Sequence, residues 1–247
     1  MGEGPDLVLL HSLLTDRDAF DPVIPELALR WRVTKLDLPG FGGSDLCGPS
    51  IDDYARFVGA FLATAGYDPV TTALMGNGLG GFVALGAAVR YGDSFDRLVL
   101  AGAGAAFPEE GRLVFARMAD RVAGAGMEAI GDIALRRIYT EEYLAAHPEE
   151  AAARRDVLVK TDPAAFINAC RALEHVDYTL LARRVTNPTL IVTGSLDAAT
   201  PTVLGAALAK LIPGARFTEL PGLAHAPQLQ DPAAFLAVAG AYLQTPP

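Results

Sequence analysis

At 247 residues, 51% of them hydrophobic, the chain is long enough to bury a large core as one domain with room for an inserted subdomain, and its mean hydropathy of +0.28 argues against disorder. A formal net charge of −9, with Lys and Arg scattered along the chain, argues against a polyanion partner, so no nucleic-acid partner is expected. No apolar run approaches the roughly 18–20 residues of a membrane span. The start, Met1-Gly2-Glu3-Gly4-Pro5-Asp6, is acidic where a secretion signal is basic, so a soluble cytoplasmic protein with no membrane partner is expected.

Short apolar runs at 7–11, 32–38, 70–75, 97–101, 189–193 and 216–220 alternate with helical patterns, which predicts an α/β protein with a mostly parallel sheet and helices on both faces. The clearest helix spans 51–66. Tyr54, Phe57, Val58, Phe61, Leu62 and Ala65 recur at helical spacing there, with Ser50 and Asp53 as a capping pair. Thr200-Pro201 and Asp231-Pro232 mark two more helix starts after the fifth and sixth strands. The interval 107–187 breaks the alternation: it is rich in Ala, Arg and Glu, and Pro148 and Pro163 mark helix boundaries within it. It predicts a helical cap over a core made of 1–106 and 188–247. Cys47 and Cys170 lie far apart without metal-type spacing, which reads as two thiols and no metal site.

The segment Met75 to Gly81 follows the third strand and has the frame of a nucleophile elbow, the tight strand-to-helix turn that exposes a catalytic side chain. Such a turn needs small residues two places before and after the nucleophile, and Gly76 and Gly80 meet that demand; the residue between them is Gly78. The same stretch satisfies the G-x-G-x-x-G fingerprint of dinucleotide sites. That alternative needs an acid at the end of the next strand, where Gly102-Ala103-Gly104-Ala105 stands instead, so no cofactor is expected. In an open α/β sheet ligands sit beyond the carboxyl ends of the strands. The other residues there are His11-Ser12-Leu13-Leu14 after the first strand, Gly194-Ser195-Leu196-Asp197 after the fifth, and Pro221 to His225 after the sixth.

Nucleophile position, then acid, then histidine is the chain order of the α/β-hydrolases. The chain resembles that superfamily over nearly its whole length, and within it the 3-oxoadipate enol-lactonase-like group. The elbow, Leu9-Leu10-His11-Ser12 with Asp16, Asp37 to Ser44, Thr161-Asp162-Pro163, Cys170 to Leu173, Asn187 to Leu190, and Gly222 to His225 carry the likeness. The resemblance implies an α/β-hydrolase fold acting on carboxylic esters or (enol-)lactones. It implies His225 as general base, Asp197 as the carboxylate orienting it, the backbone N–H groups of Leu13 and Leu79 as oxyanion hole, and Gly78 at the nucleophile position. Two departures stand out. Glycine at 78 removes the acyl-enzyme step, and few residues precede the first strand where family members have an antiparallel hairpin, so one sheet edge is expected to be shorter.

Three functions follow from that pattern: an ester or lactone hydrolase scaffold that lost its serine, a native serine-less enzyme using His225 and Asp197 for lyase, isomerase, cyclase or water-activated chemistry, and a non-catalytic protein binding a small acidic or apolar molecule. In each the partner is a small molecule under the cap, and the sequence leaves a homo-oligomer open. His11 is expected to bond backbone rather than do chemistry, and His147 and His175 to be solvated. Ser12 and Ser195 lie close to the site but on no turn that presents a hydroxyl to His225. Phe115, Met118, Tyr139, Phe166 and Tyr178 are candidate pocket or core residues.

Overall fold

The computed structural model describes residues 1–244. Six parallel strands form one sheet in the order β2-β1-β3-β4-β5-β6. They span Asp6–Leu10 (β1), Arg32–Leu36 (β2), Ala73–Asn77 (β3), Arg97–Ala101 (β4), Thr189–Gly194 (β5) and Arg216–Leu220 (β6). The inner strands β1, β3, β4 and β5 are buried at every residue, as a sheet covered on both faces demands. Alternate side chains serve opposite faces. Val8, Leu10, Leu74, Leu98 and Leu100 enter one core, and Leu7, Leu9, Met75, Val99 and Val192 the other.

Among the described residues no strand pairs on the outer side of β2, so the sheet edge lacks the hairpin that the resemblance implies. The third strand is 73–77 and not 70–75. Residues 68–72 form a turn in which the Asp68 carboxylate accepts from Val70 N–H at 3.1 Å and its carbonyl from Thr72 N–H at 2.9 Å, leaving Val70 in solvent. The turn thus overrides the strand preference of a β-branched residue.

The Ile51–Ala65 helix starts as expected, with Ser50 Oγ accepting from Asp53 N–H, and Asp231 caps Pro232–Phe235. The helix after β5 starts at Thr202, one residue later than Thr200-Pro201 suggested, with Pro201 as its cap residue. Thr200 instead gives its backbone N–H to Asp197.

Between β4 and β5 the chain makes five α-helices, Glu109–Ala125, Gly131–Ile138, Glu141–Ala146, Pro148–Val159 and Pro163–His175. Pro148 and Pro163 each sit at the first helical position, where a missing N–H costs no intrahelical bond. An antiparallel bridge between Ala106 and Asp177 ties the two ends of this segment together. Arg154 pairs with Asp16 of the loop after β1 at 2.9 Å, holding the segment against the strand ends.

Candidate active site

The turn after β3 is as tight as its glycines suggest. A Cβ on Gly76 would lie 2.1 Å from Gly80 O, and one on Gly80 would lie 2.1 Å from Leu10 O, so neither position has room for a side chain. Gly78 lies at φ +55° and ψ −119°, a conformation that an L-residue holds only under strain. It caps the Leu79–Tyr91 helix, and its N–H donates to Ala101 O at 2.9 Å. The Gly80 N–H donates to His11 O at 2.9 Å, which seats the loop after β1 directly against this turn.

That loop is fixed from within. His11 is fully buried; its Nδ1–H donates to Ser12 O at 2.9 Å and its Nε2 accepts from Leu38 N–H at 3.1 Å. Burial lowers the His11 pKa below its usual 6.5, against smaller opposing effects of the Ser12 backbone, Asp37 and Asp16. This neutral histidine bonds backbone, as the sequence suggested. The Ser12 N–H donates to Thr15 Oγ1 at 3.2 Å, so both backbone groups of Ser12 are held.

Asp197 and His225 come together from the loops after β5 and β6. The imidazole Nδ1–H faces the carboxylate at 2.9 Å from Oδ2 and 3.1 Å from Oδ1. Asp197 Oδ1 also accepts the N–H groups of Ala199 and Thr200, at 2.8 and 2.7 Å, so the carboxylate is locked before it meets the ring. Asn77 Nδ2 donates to His225 O at 2.9 Å and anchors the backbone of the histidine loop to β3. With Nδ1 protonated toward the acid, the Nε2 lone pair points at Ser12 Oγ, 3.3 Å away.

This last contact corrects the expectation that Ser12 presents no hydroxyl to His225. The expectation weighed only the local turn, whereas the missing side chain at Gly78 lets the two groups approach across it. A Cβ on residue 78 would lie 2.3 Å from Ser12 Oγ and 2.6 Å from His225 Nε2. Ser195 does behave as expected, because its hydroxyl accepts from Gly222 N–H at 2.8 Å.

A narrow pocket opens above Ser12, Gly78 and His225, with about 20 Å³ of free space for the centre of a water-sized molecule. Its walls are mostly apolar. Phe82, Phe107 and Phe115 form a chain of rings with centroids 4.9 and 4.8 Å apart, and Met118 and Leu173 complete the helical side. The N–H groups of Leu13 and Leu79, both pocket residues, donate to no protein acceptor among the described residues. Of the five candidates named from sequence, Phe115 and Met118 line this pocket, whereas Tyr139, Phe166 and Tyr178 are core residues. His175 is exposed, and His147 is half-exposed and stacked on Tyr143 at 4.2 Å.

Arg137, from the Gly131–Ile138 helix, was missed. Two adjacent arginines at a helix end, Arg136 and Arg137, give no sign in sequence of which turns inward. Arg137 Nη2 reaches Ala199 O at 3.4 Å, and no carboxylate lies within 4 Å of the guanidinium among the described residues. Burial pulls its pKa down, with Asp197 opposing. Among the described residues no three His, Cys, Asp or Glu side chains gather to hold a metal ion, and no helix is long and apolar enough to cross a membrane.

The sheet order, the tight turn after β3 and the facing Asp197 and His225 define the α/β-hydrolase class of protein. The family model "Alpha/beta hydrolase family" matches residues 7–238, and the chain belongs to this family. It is 30% identical to the pimeloyl-[acyl-carrier protein] methyl ester esterase of Chromobacterium violaceum, over 99% of this chain and 96% of the relative. Among solved structures, the enol-lactonase of Burkholderia xenovorans superposes with a TM-score of 0.91 at 29% identity, covering 99% of this chain and 93% of that one. A thermophilic esterase of Thermogutta terrifontis gives 0.89 at 26% identity, covering 99% and 91%. These relatives support an esterase-type hydrolase.

Proposed function

We propose that the protein hydrolyses small, acid-bearing carboxylic esters or lactones. In this reading His225 is the general base, Asp197 fixes its tautomer and stabilises the imidazolium, and the Leu13 and Leu79 N–H groups receive the developing oxyanion. The observation that carries it is the His225 Nε2 lone pair, directed by Asp197 into an apolar pocket that also holds two unused backbone donors. A positioned base contributes on the order of 10² to 10⁴ in rate, and each oxyanion donor about 10² to 10³. Gly78 carries no nucleophile, so no acyl-enzyme forms on residue 78.

Arg137 supports the acid-bearing part of the reading. Arg137 is half-buried in the pocket wall with no carboxylate in salt-bridge contact among the described residues, and a substrate carboxylate would pair with it through charge-assisted hydrogen bonds worth roughly 1.5–3 kcal/mol. The names of the enol-lactonase and esterase relatives are consistent with this chemistry. The test is turnover of a panel of short esters and lactones with and without a terminal carboxylate. His225→Ala should lose at least about 10²-fold in kcat/KM, and Arg137→Met should raise KM for the acid substrates by about 10- to 100-fold while sparing neutral ones. Equal turnover by the parent protein and His225→Ala would refute the reading.

A further inference from the structure

We propose that Ser12 is the nucleophile of this site, taking over from the elbow position that Gly78 leaves without a side chain. This rests on the preceding reading that His225 acts as a base in the pocket. Three observations converge on the hydroxyl.

The first is position. An elbow serine would place its Oγ about one C–O bond, roughly 1.4 Å, from its Cβ, and Ser12 Oγ lies 2.3 Å from where a Cβ on residue 78 would be. Ser12 Oγ thus reaches the space of the missing side chain from the opposite wall. The second is the hydrogen bond. Asp197 commits the imidazole proton to Nδ1, so Ser12 Oγ–H donates to Nε2 at 3.3 Å, an arrangement close to the reach expected between a nucleophile and its base before substrate binds. The third is rigidity. Ser12 is 2% exposed, its N–H is given to Thr15 and its carbonyl is bonded by His11, so its backbone is held while its hydroxyl keeps no partner but His225.

The neighbouring groups suit the step. The N–H of Leu13, the residue after Ser12, is unused, as is that of Leu79 across the pocket. Ser12 Oγ would attack the ester carbonyl carbon, forming a C–O bond as its proton passes to His225 Nε2. The carbonyl oxygen becomes an oxyanion facing the two amides. Collapse breaks the bond to the leaving alkoxide, which takes the proton from His225, and leaves an acyl group on Ser12. Water, deprotonated by His225, then attacks the acyl carbon; Ser12 leaves and recovers its proton, releasing the acid. No oxidant or reductant enters.

The same geometry gives Gly78 a positive role, since any side chain there would fall between Ser12 and His225. An elbow hydroxyl and the Ser12 hydroxyl cannot both occupy the space in front of Nε2.

The test treats the full chain with an alkyl phosphonofluoridate, whose P–F bond is displaced by an activated serine without need of turnover, followed by intact mass and peptide mapping. One phosphonyl group on Ser12 is expected, lost in Ser12→Ala and in His225→Ala. Ser12→Ala should lower ester kcat/KM by at least about 10³-fold with a melting temperature no more than about 6 °C below the parent's. Ser12→Cys should carry an acyl group from an activated ester as a thioester mass on residue 12, which a merely structural hydroxyl would not restore. His225-dependent ester hydrolysis with no label on Ser12 would overturn the nucleophile and leave the base reading standing. Labelled Ser12 without hydrolysis of any ester or lactone would overturn the hydrolase reading and leave the nucleophile and its base standing, and neither label nor turnover would overturn both.

Discussion

Replacing Gly78 with alanine adds one methyl group where the backbone and two catalytic candidates meet. The backbone at φ +55° and ψ −119° costs an L-residue on the order of 1–3 kcal/mol that glycine escapes. The new Cβ would also fall 2.3 Å from Ser12 Oγ, 2.9 Å from Ser12 Cβ and 2.6 Å from His225 Nε2, all inside contact distance. Ser12 can yield by rotating its hydroxyl away, which forfeits one hydrogen bond of roughly 0.5–1.5 kcal/mol. Together these predict a loss of about 2–4 kcal/mol, and for a domain of this length a fall in Tm of roughly 5–15 °C by calorimetry. The methyl also parts Ser12 from His225, so ester turnover should fall with stability. A companion variant separates the two effects: Gly78→Ser combined with Ser12→Ala bears the same backbone strain but returns a hydroxyl to Nε2. It should melt like Gly78→Ala, recover turnover and carry the phosphonyl label on residue 78. A Gly78→Ala protein that melts within a degree of the parent would refute the steric reasoning.

Asp197→Asn should keep the fold but lose on the order of 10³- to 10⁴-fold in kcat, because an amide no longer enforces the Nδ1–H tautomer; undiminished turnover would remove Asp197 from the mechanism. His11 makes stability fall in mild acid. Its folded pKa lies below 6.5, so between that value and 6.5 the unfolded chain binds the extra proton, and stability is lost as pH drops through this window. Urea midpoints should decline from pH 7.5 to 5.5, less steeply in His11→Asn, and a flat parent profile would contradict the assignment. Burial raises the Cys47 thiol to about 11 and that of Cys170 further, and both are free. A thiol reagent at pH 8 should therefore react slowly with the native protein and with both cysteines once it is unfolded; one thiol titrating at once would refute this.

The order of strands and helices was legible because the buried strands are unbroken apolar runs and their helices carry cap residues. Ser50, Asp162 and Asp231 each accept backbone N–H groups at a helix start. Misplacements fell where local chemistry competes. Asp68 draws Val70 into a turn, and the Asp197 carboxylate claims the Thr200 N–H that a helix cap would otherwise use. Asp197 and His225 could be named because they end strands whose carboxyl ends converge. Arg137 could not, since which of two neighbouring arginines faces inward depends on how the Gly131–Ile138 helix rests on the sheet.

Ser12 illustrates a different limit. Its distance from His225 along the chain is 213 residues, and the contact depends on what is absent from a third element. The expectation that it faced away assumed a hydroxyl must be lifted by its own tight turn, as an elbow lifts its serine. Here the lift is unnecessary, because glycine at 78 leaves the space between the wall of the β1 loop and the imidazole open. The sequence does hold the required hint: His11 locks the Ser12 carbonyl, the Gly80 N–H binds the His11 carbonyl, and Gly80 itself is kept small by Leu10 O. These bonds press the β1 loop against the elbow whatever occupies position 78. A glycine at the elbow beside a serine after the first strand therefore forms one compound signal, because the space that a side chain at 78 would fill is the space across which Ser12 Oγ faces His225 Nε2.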